Sequence, residues 1–176
     1  MCREKMKDLI YKIIDLENEM REKARSCIDC GCILKMDEIN PAFRLHELET
    51  WSLQTLENYL NDLISAQLES RNLLCERYAY KLQKTDPERY DALKEHLPEA
   101  SVEKLWLVDL ICSEQIAWIK TTVEQDQLQK PSAQAANIDT IDAELRSELM
   151  TYSIKTLRSY AAHLEELLKG PNNIAG

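Results

Sequence analysis

Apolar positions recur at helical spacing along nearly the whole chain. Leu9, Ile10, Ile13, Ile14, Leu16 and Met20 place one apolar face on a first helix from about Glu4 to Arg25. A polar, cysteine-rich stretch then interrupts the pattern up to Asn40. Asn40-Pro41 has the chemistry of a helix start, an N-cap side chain followed by a residue with no N–H to satisfy. The spacing predicts a helix over about 41–66 and a helical segment from about Gln67 to Gln83, with Leu73, Leu74, Tyr78 and Leu82 on its apolar face. No Gly or Pro separates the two, so one continuous helix would fit as well. Thr85-Asp86-Pro87-Glu88 reads as a capping box that opens a short helix, stopped by Pro98. Ser101 is the expected cap of the next long helix, which should bury Leu105, Val108, Ile111, Cys112, Ile116, Trp118 and Ile119. Residues 127–137, with Pro131 and three alanines, read as a linker. Asp139 or Thr140 should cap a last helix over about 140–168. No segment alternates with period two, so no sheet is expected.

Two of these segments repeat each other. Residues Glu47 to Leu63 (ELETWSLQTLENYLNDL) match Glu148 to Leu164 (ELMTYSIKTLRSYAAHL) without a gap, 101 positions apart. The identities are Glu47/Glu148, Leu48/Leu149, Thr50/Thr151, Ser52/Ser153, Thr55/Thr156, Leu56/Leu157, Tyr59/Tyr160 and Leu63/Leu164. Trp51 faces Tyr152, another aromatic. The expected architecture is an all-α bundle in one domain over residues 1–176. It would be built by internal duplication as two pseudo-symmetric helical hairpins, with one or two added helices.

The repeat carries a polar stripe. Ser52, Thr55, Tyr59 and Asp62 share one helix face, and Ser153, Thr156, Tyr160 and His163 are their counterparts. The stripe runs beside leucines, so it should be half-buried, and buried hydroxyls and carboxylates need partners. If the two repeat helices face each other, the tyrosines meet and Asp62 approaches His163. A carboxylate beside an imidazole is a common arrangement for acid–base catalysis, which makes Asp62, Tyr59, Tyr160 and His163 candidate catalytic residues. The competing reading is a structural polar network, in which each hydroxyl only satisfies the fold.

Three cysteines, Cys27, Cys30 and Cys32, lie close together after the first helix. Their C-x2-C-x-C spacing is candidate metal chemistry, for zinc or an iron–sulfur cluster. A fourth ligand would come from Cys2, His46, Cys75 or Cys112. The alternative is a set of reduced thiols. Convergence of Glu17, Glu47, Glu76, Glu114 and Glu148, as in di-iron bundles, is a further reading, but the chain has no Glu-x-x-His motif. Trp51, Trp106 and Trp118 read most simply as core aromatics.

Composition narrows the partners. The net charge is −9, which argues against a broad grip on nucleic acid or anionic lipid. No stretch is long and apolar enough to span a bilayer, and the charged first twenty residues lack a signal-peptide core. A cytoplasmic protein is expected, with its six cysteines reduced or metal-bound. Only 3 glycines and 5 prolines again favour long helices over a turn-rich β fold.

Arg158 and His163 form an R-x4-H spacing on the last helix. This resembles the signature of HEPN ribonucleases, in which an Arg and a His act on an RNA phosphodiester, and it implies a ribonuclease reading for these two residues. The first repeat has Glu57 and Asp62 in these places.

A broader resemblance covers about Ile10 to His163. The runs W51-x7-Y59-x2-D62-L63-x2-A66, R71-N72-L73-x2-E76-R77-Y78-A79 and T85-x-P87-x2-Y90-x2-L93-K94-x2-L97-P98 are similar to bacterial domain-of-unknown-function family 4125. So is E148-L149-x-T151-Y152-S153-x2-T156-L157-x2-Y160-x2-H163. The resemblance implies a helical domain and supplies no activity. Between Cys27 and Asn40 the family pattern carries one Cys followed by Gln instead of C-x2-C-x-C, and it does not include Arg158. It directs attention to Asn72, Glu76 and Arg71 as candidate ligand-binding residues. With Asp62 and His163, Asn72 and Glu76 could line one polar pocket that receives a partner protein or small molecule.

Overall fold

The computed structural model describes residues 2–26, 40–129 and 137–170. Among them lie eight α-helices and no strand. They are α1 (Cys2–Ser26), α2 (Pro41–Glu49), α3 (Leu53–Leu68), α4 (Leu73–Thr85), α5 (Pro87–Leu93), α6 (Val102–Gln129), α7 (Ile138–Leu149) and α8 (Ile154–Lys169), with a single 3-10 turn at Lys94–His96 after α5. No described helix is long and apolar enough to cross a membrane.

Local chemistry sets most of the boundaries. Asn40 accepts from the Ala42 N–H at 3.0 Å and Pro41 opens α2. Ser101 accepts from the Lys104 N–H at 3.1 Å at the head of α6. At α5 the capping side chain is Asp86, which accepts from the Arg89 N–H. Thr85 instead turns its hydroxyl back to the Lys81 carbonyl and ends α4. The last pair of helices opens slightly earlier than expected. Asn137, rather than Asp139 or Thr140, caps α7 by accepting from the Thr140 N–H.

The expected helix over 41–66 is in fact two helices, and so is the expected helix over 140–168. Each breaks inside the repeated segment. Thr50 donates its hydroxyl to the Glu47 carbonyl at 2.7 Å, and Thr151 does the same to Glu148 at 2.7 Å. Ser52 then caps α3 through the Thr55 N–H, and Ser153 caps α8 through the Thr156 N–H. The T-[WY]-S run is therefore a helix–turn–helix corner, made without Gly or Pro. Helices α3 and α4 are also separate. Ser70 adopts φ +58°, the Arg71 N–H donates to Ala66 and the Ser70 N–H donates to Gln67, which is a Schellman stop. A serine does here what a glycine usually does, so the sequence carries no obvious sign of the break.

Packing closes on itself. Helix α1 lies on α3, α3 on α8, α8 on α6, α6 on α7, α7 on α4, and α4 returns to α1. Inside sit Ile13, Leu48, Leu56, Leu63, Val108, Ile111, Leu149, Tyr152 and Leu157, each at most 1 % exposed. Trp51, at 4 %, is a core aromatic as expected. Trp106 and Trp118 are not: they are 60 % and 58 % exposed. Leu105 is also largely exposed, and Leu107 takes its place on the buried face of α6.

Candidate functional site

The corner motif explains half of the polar stripe. Ser52 and Ser153 are capping residues, and Thr55 and Thr156 are fully buried beside them. Asp62 and His163 do not meet. Asp62 reaches the second corner, where its Oδ2 accepts from the Ser153 N–H at 2.9 Å and from the Thr156 hydroxyl at 2.6 Å. His163 reaches the first corner, with Nε2 at 2.8 Å from the Thr50 carbonyl, to which it donates. Each of these side chains latches the corner of the other repeated segment. Tyr59 and Tyr160 both pack edge-on against Trp51, at 5.5 and 5.3 Å between ring centroids.

The residues singled out by the family runs also have structural partners. Asn72 caps α4 through the Leu74 and Cys75 N–H groups and donates to the Met20 carbonyl at 2.7 Å. It ties α4 to the end of α1. Arg71 precedes α4, so helix spacing does not govern it, and it grips Glu76 with two parallel bonds of 2.8 and 2.9 Å. Lys104 of α6 is close enough to feel Asp62, Arg71 and Glu76, although burial lowers its pKa. His163 is not part of this group. The single polar pocket expected from Asp62, Asn72, Glu76 and His163 is thus divided between two places.

Three of the five helix glutamates do converge. Glu17, Glu47 and Glu148 surround Arg44, which is 5 % exposed. Arg44 meets Glu17 at 2.6 Å, Glu47 at 2.7 Å and Glu148 at 3.0 Å. A guanidinium occupies the centre where a di-iron site would need metal. Tyr59 donates to Glu17 at 2.8 Å, and Tyr152 donates to Glu148 at 2.7 Å. Arg77 of α4 approaches Glu148 at 3.4 Å. Burial works against the Arg44 charge, yet Glu148 and Glu17 outweigh it and raise its pKa well above the usual value. Burial would likewise push Glu148 up, but Arg77, Arg44 and the Tyr152 hydroxyl bring it down to about 2. Glu47 goes the other way: burial and the nearby Glu148 raise it against the pull of Arg44. Tyr59 is buried in the core, so its hydroxyl, held above its usual pKa by burial and Glu17, serves this network.

Glu47 is where the network reaches the surface. Its side chain is 33 % exposed and lines a cleft of about 510 Å3 between α6, α8 and the α2–α3 corner. Trp51 and Tyr160 line the same cleft as Gln115, Trp118, Ile119, His163, Leu164, Leu167 and Leu168. Gln115 donates to the Tyr160 hydroxyl at 2.6 Å. Burial raises the Tyr160 pKa to about 12. A second cavity of about 550 Å3 lies along α4 and the α5–α6 connection, and it is lined by Lys94, Glu95, Glu99 and Arg146 among others. The first is the better candidate, because an apolar surface with a few convergent polar groups is what small-molecule sites share.

Of the sequence candidates, Tyr160 and His163 belong to this cleft, and Asp62, Tyr59, Asn72, Glu76 and Arg71 do not. Arg158 ion-pairs with Glu103 of α6 while His163 turns to Thr50, so the R-x4-H pair diverges. Five residues along a helix place side chains about 140° apart. Arg44 escaped the sequence reading, though it lies one turn before the buried Leu48 on the same face. Cys27, Cys30 and Cys32 lie outside the described residues, and with them the zinc or iron–sulfur reading. Among the described residues no His, Cys, Asp or Glu cluster is arranged to hold a metal. Burial pushes the Cys112 thiol up to about 11, which makes it a poor ligand or nucleophile.

No curated protein matches the chain, and no solved structure matches it. A family described as "Protein of unknown function (DUF4125)" matches residues 7–176. With nearly the whole chain covered, this protein belongs to the DUF4125 family.

Proposed function

We propose that the chain is a binding module of the cytosol, one domain whose cleft between α6, α8 and the α2–α3 corner receives a small molecule with a largely apolar body. The observation that carries this is the company kept by exposed apolar side chains. Trp118, Leu167 and Leu168 are 58 %, 58 % and 43 % exposed, and all three line one concave cleft over a floor of Trp51 and Tyr160. Exposed apolar groups scattered singly mean little, but their gathering in a concavity of this size supports a ligand site. The floor is pre-formed, since Trp51 is packed between Tyr59, Tyr152 and Tyr160. His163 and Gln115 supply orienting polar groups at the walls.

Matching corners and reciprocal latches support the further reading that the two hairpins, α2–α3 and α7–α8, arose by duplication. In that reading the cleft is used on one side of a pseudo-symmetric pair. Metal chemistry at Cys27, Cys30 and Cys32 is a separate reading, tested by metal analysis of protein purified without chelator or oxygen.

The test of the cleft is a fluorescence titration with neutral 4-phenyl-1-butanol. Trp51 and Trp118 both line the cleft, so the expected result is a saturable change in emission. It should be lost in Leu167→Arg, which places a charge at the mouth. An unsaturable change, or an equal response in that variant, overturns the proposal.

A further inference from the structure

The cleft has a charged group at its floor. Among the described residues Glu47 is the one carboxylate that lines it, and no lysine or arginine does. Only one Glu47 oxygen is engaged: Oε2 accepts from Arg44, while Oε1 accepts no hydrogen bond from the described residues. Behind Glu47 the network carries more negative than positive groups, with Glu17, Glu47 and Glu148 facing Arg44 and Arg77. Two positive charges shared among three carboxylates leave one charge uncompensated, and burial makes that costly. The rings of Trp51, Trp118 and Tyr160 line the same space, and aromatic faces attract cations. An anion placed there would be repelled by Glu47 and, behind it, Glu148.

We infer that the cleft binds an organic cation, an amine carried on an apolar body, with its ammonium donating to Glu47 Oε1 among the rings of Trp51, Trp118 and Tyr160. This rests on the cleft being a binding site at all. An ammonium supplies the missing positive charge and the missing donor together, whereas an alcohol supplies only the donor. The apolar body lies along Ile119, Leu164 and Leu168.

Three probes of similar shape separate the possibilities: 4-phenylbutylamine, neutral 4-phenyl-1-butanol and anionic 4-phenylbutanoate, each titrated into the full chain by calorimetry at pH 7. The amine should bind at least tenfold more tightly than the alcohol, and the anion should be weakest. Glu47→Gln should remove the amine's advantage over the alcohol. Trp118→Ala, at an exposed position, should weaken all three. If the alcohol or the anion binds as well as the amine, the cation inference falls and the cleft remains a site. If none of the three binds, both fall. Should Glu47→Gln fail to fold, the order of the three probes on the natural chain decides alone.

Discussion

Asn58 donates from Nδ2 to the hydroxyl of Ser159 at 3.1 Å, and the two residues stand at the same place in the two repeated segments, 101 positions apart. Other equivalent positions also meet: Trp51 packs on Tyr152 at 5.9 Å, and Glu47 and Glu148 share Arg44. Asn58 additionally donates to the Lys155 carbonyl and accepts from Gln54, so its amide is well used at the α3–α8 crossing. Asn58→Ala should lower stability by about 1–2 kcal/mol, since partners in α8 lose their bonds. Urea unfolding reads this directly, and an unchanged midpoint would mean the crossing is held by its apolar contacts alone.

Arg44 is buried and shared by three carboxylates. Removing it leaves the buried Glu17 and the part-buried Glu47 and Glu148 facing one another without the cation they share. Arg44→Met should cost about 3–5 kcal/mol, the range for breaking a buried ion pair from one side. Arg158→Met, which removes the exposed pair with Glu103, should cost less than about 1 kcal/mol. Denaturant unfolding of the two variants side by side checks the contrast. Equal losses would show that burial of the Arg44 network is not what matters.

Acid should loosen the molecule through Glu148. Its carboxyl sits at about 2 in the fold against an ordinary 4.5, so the folded state holds its proton less tightly than the unfolded chain. The stability this contributes is complete above pH 4.5 and is lost as pH falls from there toward 2. Glu47 has the opposite sign. Its raised folded value gives a contribution that is complete below 4.5 and lost as pH rises through that folded value. Thermal unfolding between pH 7 and 2.5 should show a fall in midpoint below 4.5, flattened in Glu148→Gln. A variant that keeps the full acid dependence would move the cause elsewhere.

Asp62 and Asn72 are expected to matter for stability and not for the cleft. Asp62→Ala removes the acceptor of the Ser153 N–H and the Thr156 hydroxyl at the head of α8, and Asn72→Ala uncaps α4 and releases Met20. Each should cost about 1–2 kcal/mol. Both should bind 4-phenylbutylamine as the natural chain does at a temperature where they remain folded. A variant with normal stability and lost binding would restore these residues as ligand contacts.

Helices, caps at Asn40 and Ser101, and the alternation of buried and exposed faces on α1 are matters of neighbours in sequence, and they are legible there. So is the likeness of the two segments, and with it the family. The corners at Thr50–Ser52 and Thr151–Ser153 were legible in principle, but their signal is a threonine and a serine that bond the backbone, which a helix face also tolerates. The stop at Ser70 left no mark, because serine rarely takes the left-handed conformation. Which stripe residues meet was decided only by tertiary structure. Helix spacing puts Asp62 and His163 on corresponding faces of α3 and α8, but the crossing of those helices sends each to the far corner. The convergence of Glu17, Glu47 and Glu148 on Arg44 was hidden for the same reason. Their sequence separations run to more than a hundred residues, and only packing brings such distant charges within reach. The cleft itself is made of α6, α8 and a corner that no local rule would join.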